Sequence, residues 1–434
     1  MEIFGQVNQE PDHYKKRISN QKPENPAIQV HGYKPDCFSF FKSGSSQELN
    51  TSGNFIVRKP SPDMPLTNGG FQKMSSCDYL GLVGHPEMIK ATGEAFKIYG
   101  KESGGVQRMN DINLLRYKLE KLIQEFKDTG SAMVFNSGYQ ANITAITLLF
   151  HNKYRIIIDE CVHHSFTEGL KIIGVTPEKF RHNDMNSLKE LLEIPYAKSK
   201  TIIIVEAIYT YEGDFCPLDE IINLKEKHDA ILLVDEAHSL GVLEKMGTGI
   251  NEHFGISLDK VDIFTGSISN AIPAMGGFIA ARKEVIQYLK KVAVPNRNSL
   301  ANLPSNTINA MKGFELIQSE CWRLQVLWEN IRLLNLGRKR AGFDTGNSCS
   351  QVIPVRLPDI ETARVLEKKL SDQGLIAHSV MNPSPFAWHA WLGLQCTTSL
   401  KPYIIQHFIS TLVKLSDKSG ELPCNSADIA FACE

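Results

Sequence analysis

Between residues 75 and 304 the chain alternates two textures. Short runs at 132–135, 155–159, 201–205, 230–235, 262–265 and 277–280 are apolar at nearly every position. Runs of that length and composition predict strands buried on both faces. Between them, segments 114–126, 187–192 and 218–228 space their apolar residues three and four apart, the period of an amphipathic helix. Strands alternating with helices predict βαβ units and a mostly parallel sheet, an α/β fold. The last third reads differently. A long helical stretch at 307–341 leads into strand candidates 351–356, 375–380 and 391–396 and helix candidates 360–373 and 401–415. That grouping predicts a smaller α+β module. The expected organisation is an extended N-terminal arm (1–74), a large domain (75–310), a small C-terminal domain (311–415) and a tail (416–434). The arm carries Pro11, Pro23, Pro26, Pro35, Pro60, Pro62 and Pro65 and shows little periodicity.

Charge narrows the function. Lys and Arg number 47 against 48 Asp and Glu, a formal net charge of −1. No basic excess marks a nucleic-acid or anionic-membrane partner. No apolar run approaches the ~18 residues of a transmembrane helix. The opening residues lack the apolar core of a secretion signal. A cytoplasmic location is expected. The nine cysteines are scattered, with no pair at metal-ligand or redox spacing, and read as reduced thiols.

The common phosphate and catalytic motifs are missing. Gly247-Thr248-Gly249 lacks the third glycine of a dinucleotide loop, and no P-loop, H-E-x-x-H or G-x-S-x-G segment occurs. What remains is a series of polar residues at predicted strand ends, where open α/β sheets keep their sites. Ser137-Gly138-Tyr139 follows one strand and opens a helix. It reads either as an anion site at a helix N-terminus or as an ordinary capped turn. Asp235 ends an apolar strand, with His238 three residues on. A carboxylate there needs a partner. A protonated ring nitrogen is one answer; capping the next turn is another. His163 follows the strand ending at Asp159 and reads either as a ring that stacks on a planar ligand or as a helix cap. Gly266-Ser267-Ile268-Ser269-Asn270 is a small-residue loop able to hold a phosphate, or a plain loop.

Taken in order, these segments resemble the α-oxoamine synthases, pyridoxal-phosphate (PLP) enzymes that include 8-amino-7-oxononanoate synthase, serine palmitoyltransferase and the CAI-1 autoinducer synthase. The resemblance runs from about residue 77 to 415. It rests on Asp78-Tyr79-Leu80-Gly81-Leu82, His85-Pro86, Ser103-Gly104-Gly105, Ser137-Gly138-Tyr139 with Asn142, His182-Asn183-Asp184, Glu206 through Asp214, Pro217-Leu218, Val234 through Gly241, Gly276-Gly277 and Asp344-Thr345-Gly346. It implies a fold-type-I PLP-dependent transferase with a mostly parallel seven-stranded sheet, a small α+β C-terminal domain and a homodimer with its sites at the interface. His163 would stack on the pyridine ring, Asp235 would pair with its nitrogen, and His238 would bond its hydroxyl. Ser137, Gly138, Tyr139 and Ser267 would surround the phosphate, and Thr210 occupies a further cofactor-contact position. The implied reaction joins an amino acid to an acyl thioester, on CoA or a carrier protein, with loss of CO2.

The sequence departs from the family at three places. The Schiff-base lysine position is Asn270, whose amide is not basic and cannot form an imine. The carboxylate-gripping arginine aligns with Leu392, with Arg356 and Arg364 as the nearest alternatives, and Arg116 stands at a family histidine position. Three readings follow: a chain whose lysine was replaced and whose family activity is impaired; a non-catalytic subunit paired with a lysine-bearing homologue, as in eukaryotic serine palmitoyltransferase; or a protein that binds PLP or its amine form non-covalently.

Overall fold

The computed structural model describes residues 71–100, 113–150, 154–196, 200–293, 302–344, 346–381 and 390–419. The arm up to residue 70, Ser103-Gly104-Gly105, Met109–Ile112, Thr345 and the tail beyond 419 lie outside the described residues.

Runs that are apolar on both faces do form the centre of a sheet. In chain order the strands are β1 (Gln72–Lys73), β2 (Ser131–Phe135), β3 (Arg155–Asp159), β4 (Glu178–Phe180), β5 (Thr201–Glu206), β6 (Ile231–Asp235), β7 (Ile263–Ser267) and β8 (Gly277–Ala281). Seven of them make one sheet in the order β2-β8-β7-β6-β5-β3-β4. From β7 through β4 all neighbours are parallel, while β8 runs antiparallel to both β2 and β7. Ile156, Ile157, Ile158, Ile202, Ile203, Ile204, Val205, Leu232, Leu233 and Val234 are buried. Each such side chain contributes about 1.5–3 kcal/mol when removed from water. The three-residue β4 was absent from the expected strands; Glu178-Lys179-Phe180 is too short and too polar to stand out, and parallel pairing with β3 alone defines it.

The last third holds β9 (Val352–Leu357), β10 (Leu375–Ile376), β11 (His378–Met381) and β12 (Ala390–Gln395). β11, β12 and β9 form a three-stranded antiparallel sheet, and the helix Ile360–Ser371 packs against it. β10 pairs instead with β1, in parallel. The expected continuous strand at 375–380 is therefore two strands in two sheets. The expected single helix at 307–341 is also two, Pro304–Ser319 and Trp322–Arg340. No glycine or proline marks the break. Glu320 pairs with His85 at 3.3 Å and Arg323 donates to the Leu80 carbonyl at 2.9 Å, so tertiary contacts redirect the chain there.

The register sets the chemistry. Glu206 lies beside Asp235, and Asp235 beside Thr265, across adjacent strands. The C-terminal edge of the sheet thus gathers carboxylates from neighbouring strand ends. The next residue, Glu236, is anchored from below by Lys127, which follows α2 (Asn113–Phe126). The pair is 2.5 Å apart and fully buried, with the amine 4.4 Å from the Phe264 ring centroid. Removing one partner of a buried ion pair leaves the other charge uncompensated, at a cost of about 3–5 kcal/mol. Urea unfolding of Lys127→Met should show a loss of that size, and the double variant Lys127→Met/Glu236→Leu should recover most of it. A double variant as unstable as the single one would contradict the pairing.

Candidate active site

Five strands bring the residues of the expected set to this edge. β2 leads into Ser137 and α3 (Gly138–Leu149). β3 leads to His163 and α4 (His164–Ile172). β5 leads through Glu206 to Thr210, β6 ends at Asp235 ahead of His238, and β7 ends at Ser267 ahead of Asn270. This convergence follows from parallel pairing, because parallel strands place all their C-terminal ends on one edge.

Asp235 is the centre. It is buried, and its two oxygens accept from the Asn142 side-chain amide at 2.7 Å and the Ala237 backbone N–H at 2.9 Å. Among the described residues no ion pair reaches it. Burial pushes its carboxyl up to about 6, against the hydrogen bonds from Asn142 and Ala237, which lower it. The Asn142 amide also donates to Ser165 Oγ at 3.1 Å, and Ser165 Oγ bonds His163 Nδ1 at 2.8 Å. One chain of hydrogen bonds therefore links the Asp235 carboxylate to the His163 ring.

His163 caps α4 and is half-buried. Burial, with a smaller effect from His164, lowers it to about 4. Its backbone N–H donates to Glu206, whose other oxygen accepts from the Thr210 N–H at 3.1 Å and hydroxyl at 2.7 Å. Glu206 is held well above the ordinary carboxylate range by burial first and by Asp235 second. Thr210 is thus fixed at the rim by a protonatable carboxyl.

His238 is also lowered to about 4 by burial, with His163 adding to it. Its Nδ1 bonds the Tyr79 hydroxyl at 2.8 Å, while its backbone carbonyl accepts from Gln351 at 2.8 Å. At neutral pH both site imidazoles are uncharged. The neighbouring carbonyl, that of Ala237, accepts from the Asn270 side-chain amide at 2.6 Å.

The Ser137 and Ser267 loops meet. Gly277, which opens β8, lies so close that a Cβ there would sit 2.4 Å from the Ser137 carbonyl and from the Gly138 N–H. A Cβ on Gly138 would sit 3.0 Å from Ser267 Cβ. Close backbone approach requires glycine at 277, and position 138 leaves room for a side chain only if Ser267 gives way. Ser137 Oγ caps α3 by accepting from Gln140 N at 3.1 Å, so the capping reading holds. It coexists with the free N–H groups of the first turn, which are ready donors for an anion. Ser267 Oγ bonds Ser269 Oγ at 2.7 Å. Tyr139 behaves differently: its ring is exposed and its hydroxyl donates to Glu168. Only its backbone, in the first turn of α3, faces the same task as Gly138.

Asn142, Glu206 and Tyr79 occur in the matching segments but received no role from the sequence. Asn142 carried a signal, since an asparagine in the middle of an apolar helix is costly to bury without partners. Glu206 carried the same signal as Asp235, a carboxylate ending an apolar strand. Tyr79, Ser165 and Gln351 carried none. The arginines considered as substrate grips are each held in an ion pair. Arg356 pairs with Asp344 at 3.5 Å, and Arg364 with Glu361 at 2.8 Å, both partly exposed. Leu392 is fully buried in β12. Arg116 and Lys290 both bind Glu120, at 2.9 and 2.6 Å.

Comparison with known proteins shows which family the chain resembles. The aminotransferase class I and II family matches residues 71–409. An 8-amino-7-oxononanoate synthase from Thermosipho melanesiensis is 32% identical over 311 residues, 72% of this chain and 79% of that protein. A serine palmitoyltransferase from Bacteroides thetaiotaomicron is 34% identical over 306 residues, 70% of this chain and 77% of that protein. Among solved structures, a lysine-to-alanine serine palmitoyltransferase from S. paucimobilis with a bound PLP–myriocin aldimine superposes with a TM-score of 0.79 at 26% identity, covering 84% of this chain and 92% of that one. The chain belongs to the aminotransferase class I and II family, and within it to the α-oxoamine synthases, whose fold-type-I architecture it carries.

Proposed function

We propose that this chain binds PLP in the cradle between Asp235 and the Ser137–Ser267 edge, without a covalent tether at residue 270, and is impaired in the decarboxylative condensation of its family. The observation that carries the second half is the Asn270 amide, which is neutral and folded onto the Ala237 carbonyl. The first half is supported by fit. Among the described residues Asp235 is a buried carboxylate without a cationic partner, and Asn142 Oδ1 beside it is buried without any partner. A protonated ring nitrogen supplies the missing positive charge.

When bound, PLP supplies an electron-withdrawing ring that stabilises negative charge on an attached substrate carbon. Asp235 would keep the ring nitrogen protonated. His163, uncharged and fixed by Ser165 and Glu206, would lie against the ring face. His238, held by Tyr79, would bond the ring hydroxyl through its other nitrogen. The α3 N-terminus and Ser267 would hold the phosphate. Asn270 can donate a hydrogen bond but cannot move a proton as an amine does, and loss of general acid–base help costs about 10²–10⁴-fold in rate. The S. paucimobilis protein, in which one lysine is replaced by alanine, holds a PLP–myriocin aldimine, which supports a cofactor cradle of this fold that tolerates loss of a lysine. The division at residues 75–310 and 311–415 is part of this reading.

PLP added to the purified protein should bind saturably and leave fully on dialysis, and borohydride should attach it to no peptide. A reduced adduct on any lysine would contradict the proposal. Asn270→Lys should gain such an adduct at residue 270; a variant that binds no PLP would reject the cradle itself.

Asp235 gives a second test. Its folded carboxyl, at about 6, lies above its ordinary value of 3.8. The folded chain therefore holds this proton more tightly than the unfolded chain, and stability falls as pH rises from about 4 through about 6. Asp235→Asn should remove that fall and stabilise the PLP-free protein at pH 7 by on the order of 2–3 kcal/mol. It should weaken PLP binding about 10–100-fold, the worth of one charged hydrogen bond. Unchanged affinity would reject the pairing.

A further inference from the structure

One polar cluster beside the cradle takes no part in the proposed function. Asp159 ends β3, Cys161 follows on the same turn, and His182 comes from the loop after β4. Their ligand atoms all lie within 4.8 Å of one another. His182 Nδ1 sits 2.9 Å from Asp159 Oδ1, and its Nε2 sits 3.1 Å from both Asp214 oxygens. Glu212 lies close enough to act on the charge state of both Cys161 and His182. We propose that Asp159, Cys161 and His182, closed by Glu212, form a site for a divalent cation of the zinc class, with Asp214 orienting the histidine from behind.

The donor set fits that ion. Sulfur, imidazole nitrogen and carboxylate oxygen together are the ligands of Zn2+ rather than of Ca2+ or Mg2+. A metal-bound histidine usually donates its other N–H to a carboxylate, and Asp214 already occupies that place. Asp214 is held in turn by Asn183 Nδ2 at 3.2 Å. Tetrahedral Zn2+ with ordinary bond lengths separates its ligand atoms by ~3.3–3.5 Å. The His182–Asp159 contact would need to open by about 0.4 Å, and nothing larger is required of that pair.

A second observation points the same way. Three carboxyl groups and a thiol surround one imidazole, and several polar atoms there have no partner among the described residues. They are Glu212 Oε2, Asn183 Oδ1 and the hydroxyl of Tyr209. Tyr209 is fully buried and packs edge-on against His182, ring centroids 4.5 Å apart. Unpartnered buried polar atoms are costly. A cation in the cluster gives the Glu212 oxygen a partner and offsets the surplus of acidic groups.

The full chain, treated with chelator and left free of PLP, is titrated with Zn2+ and separately with Co2+. The site predicts one equivalent of bound metal and a near-ultraviolet thiolate-to-cobalt band. It also predicts that Zn2+ protects Cys161, but not the exposed Cys321, from alkylation in peptide mapping. Cys161→Ser should abolish the band and weaken binding at least about tenfold. Glu212→Gln should weaken binding and keep the band. Alkylation of Cys161 unaffected by Zn2+, or a band undiminished in Cys161→Ser, would overturn the site. The protection measurement uses the unaltered protein and stands if a variant fails to fold.

Discussion

A carboxylate in the interior is tolerated only when something compensates it, and Asp235 is the group on which this structure turns. Two neutral donors, the Asn142 amide and the Ala237 N–H, satisfy its oxygens geometrically without cancelling its charge. Burial therefore drives it toward the protonated form in the PLP-free chain. The surroundings are built around the same residue. Asn142 passes the constraint through Ser165 to His163, and the Ala237–His238 turn anchors Asn270, Gln351 and Tyr79. Beneath it, the buried Lys127–Glu236 pair fixes the following residue. A site so organised keeps a destabilising feature, and on the proposed reading a cationic ring compensates it.

Glu206 repeats this logic one strand away. Register places it beside Asp235, and two charged carboxylates at that separation inside a protein oppose one another. Burial and then Asp235 push the Glu206 carboxyl upward, and its oxygens are committed to the His163 backbone and to Thr210. Asp235 is left as the carboxylate available for a charge. The two neutral histidines are consistent with that division, since a cationic imidazolium near Asp235 would compete with a ring nitrogen for it.

Much of this was legible in the sequence because strands buried on both faces announce themselves. The isoleucine runs at 156–158 and 202–204 could only be central strands, and a polar residue at the end of such a run has few places to go. Asp235, His163, His238, Ser267 and Asn270 were singled out that way, or through the ordered resemblance. The parts that stayed hidden depend on contacts distant in sequence. Tyr79 reaches His238 across 159 residues, and Gln351 reaches it across 113. The break at Glu320 has no local signal and is made by His85 and Leu80. The split of residues 375–380 comes from pairing with Gln72–Lys73, which nothing in that segment foretells. Tyr139 shows the converse: the motif marked it, but its side chain is committed to Glu168.

The protonation state of the bound ring tests the central claim most directly. Nitrogen-15-labelled PLP bound to the protein should give the chemical shift of a protonated pyridine nitrogen well above the pH at which free PLP loses that proton, and Asp235→Asn should shift it to the unprotonated position. A ring nitrogen that titrates in the complex as it does in solution would contradict the account.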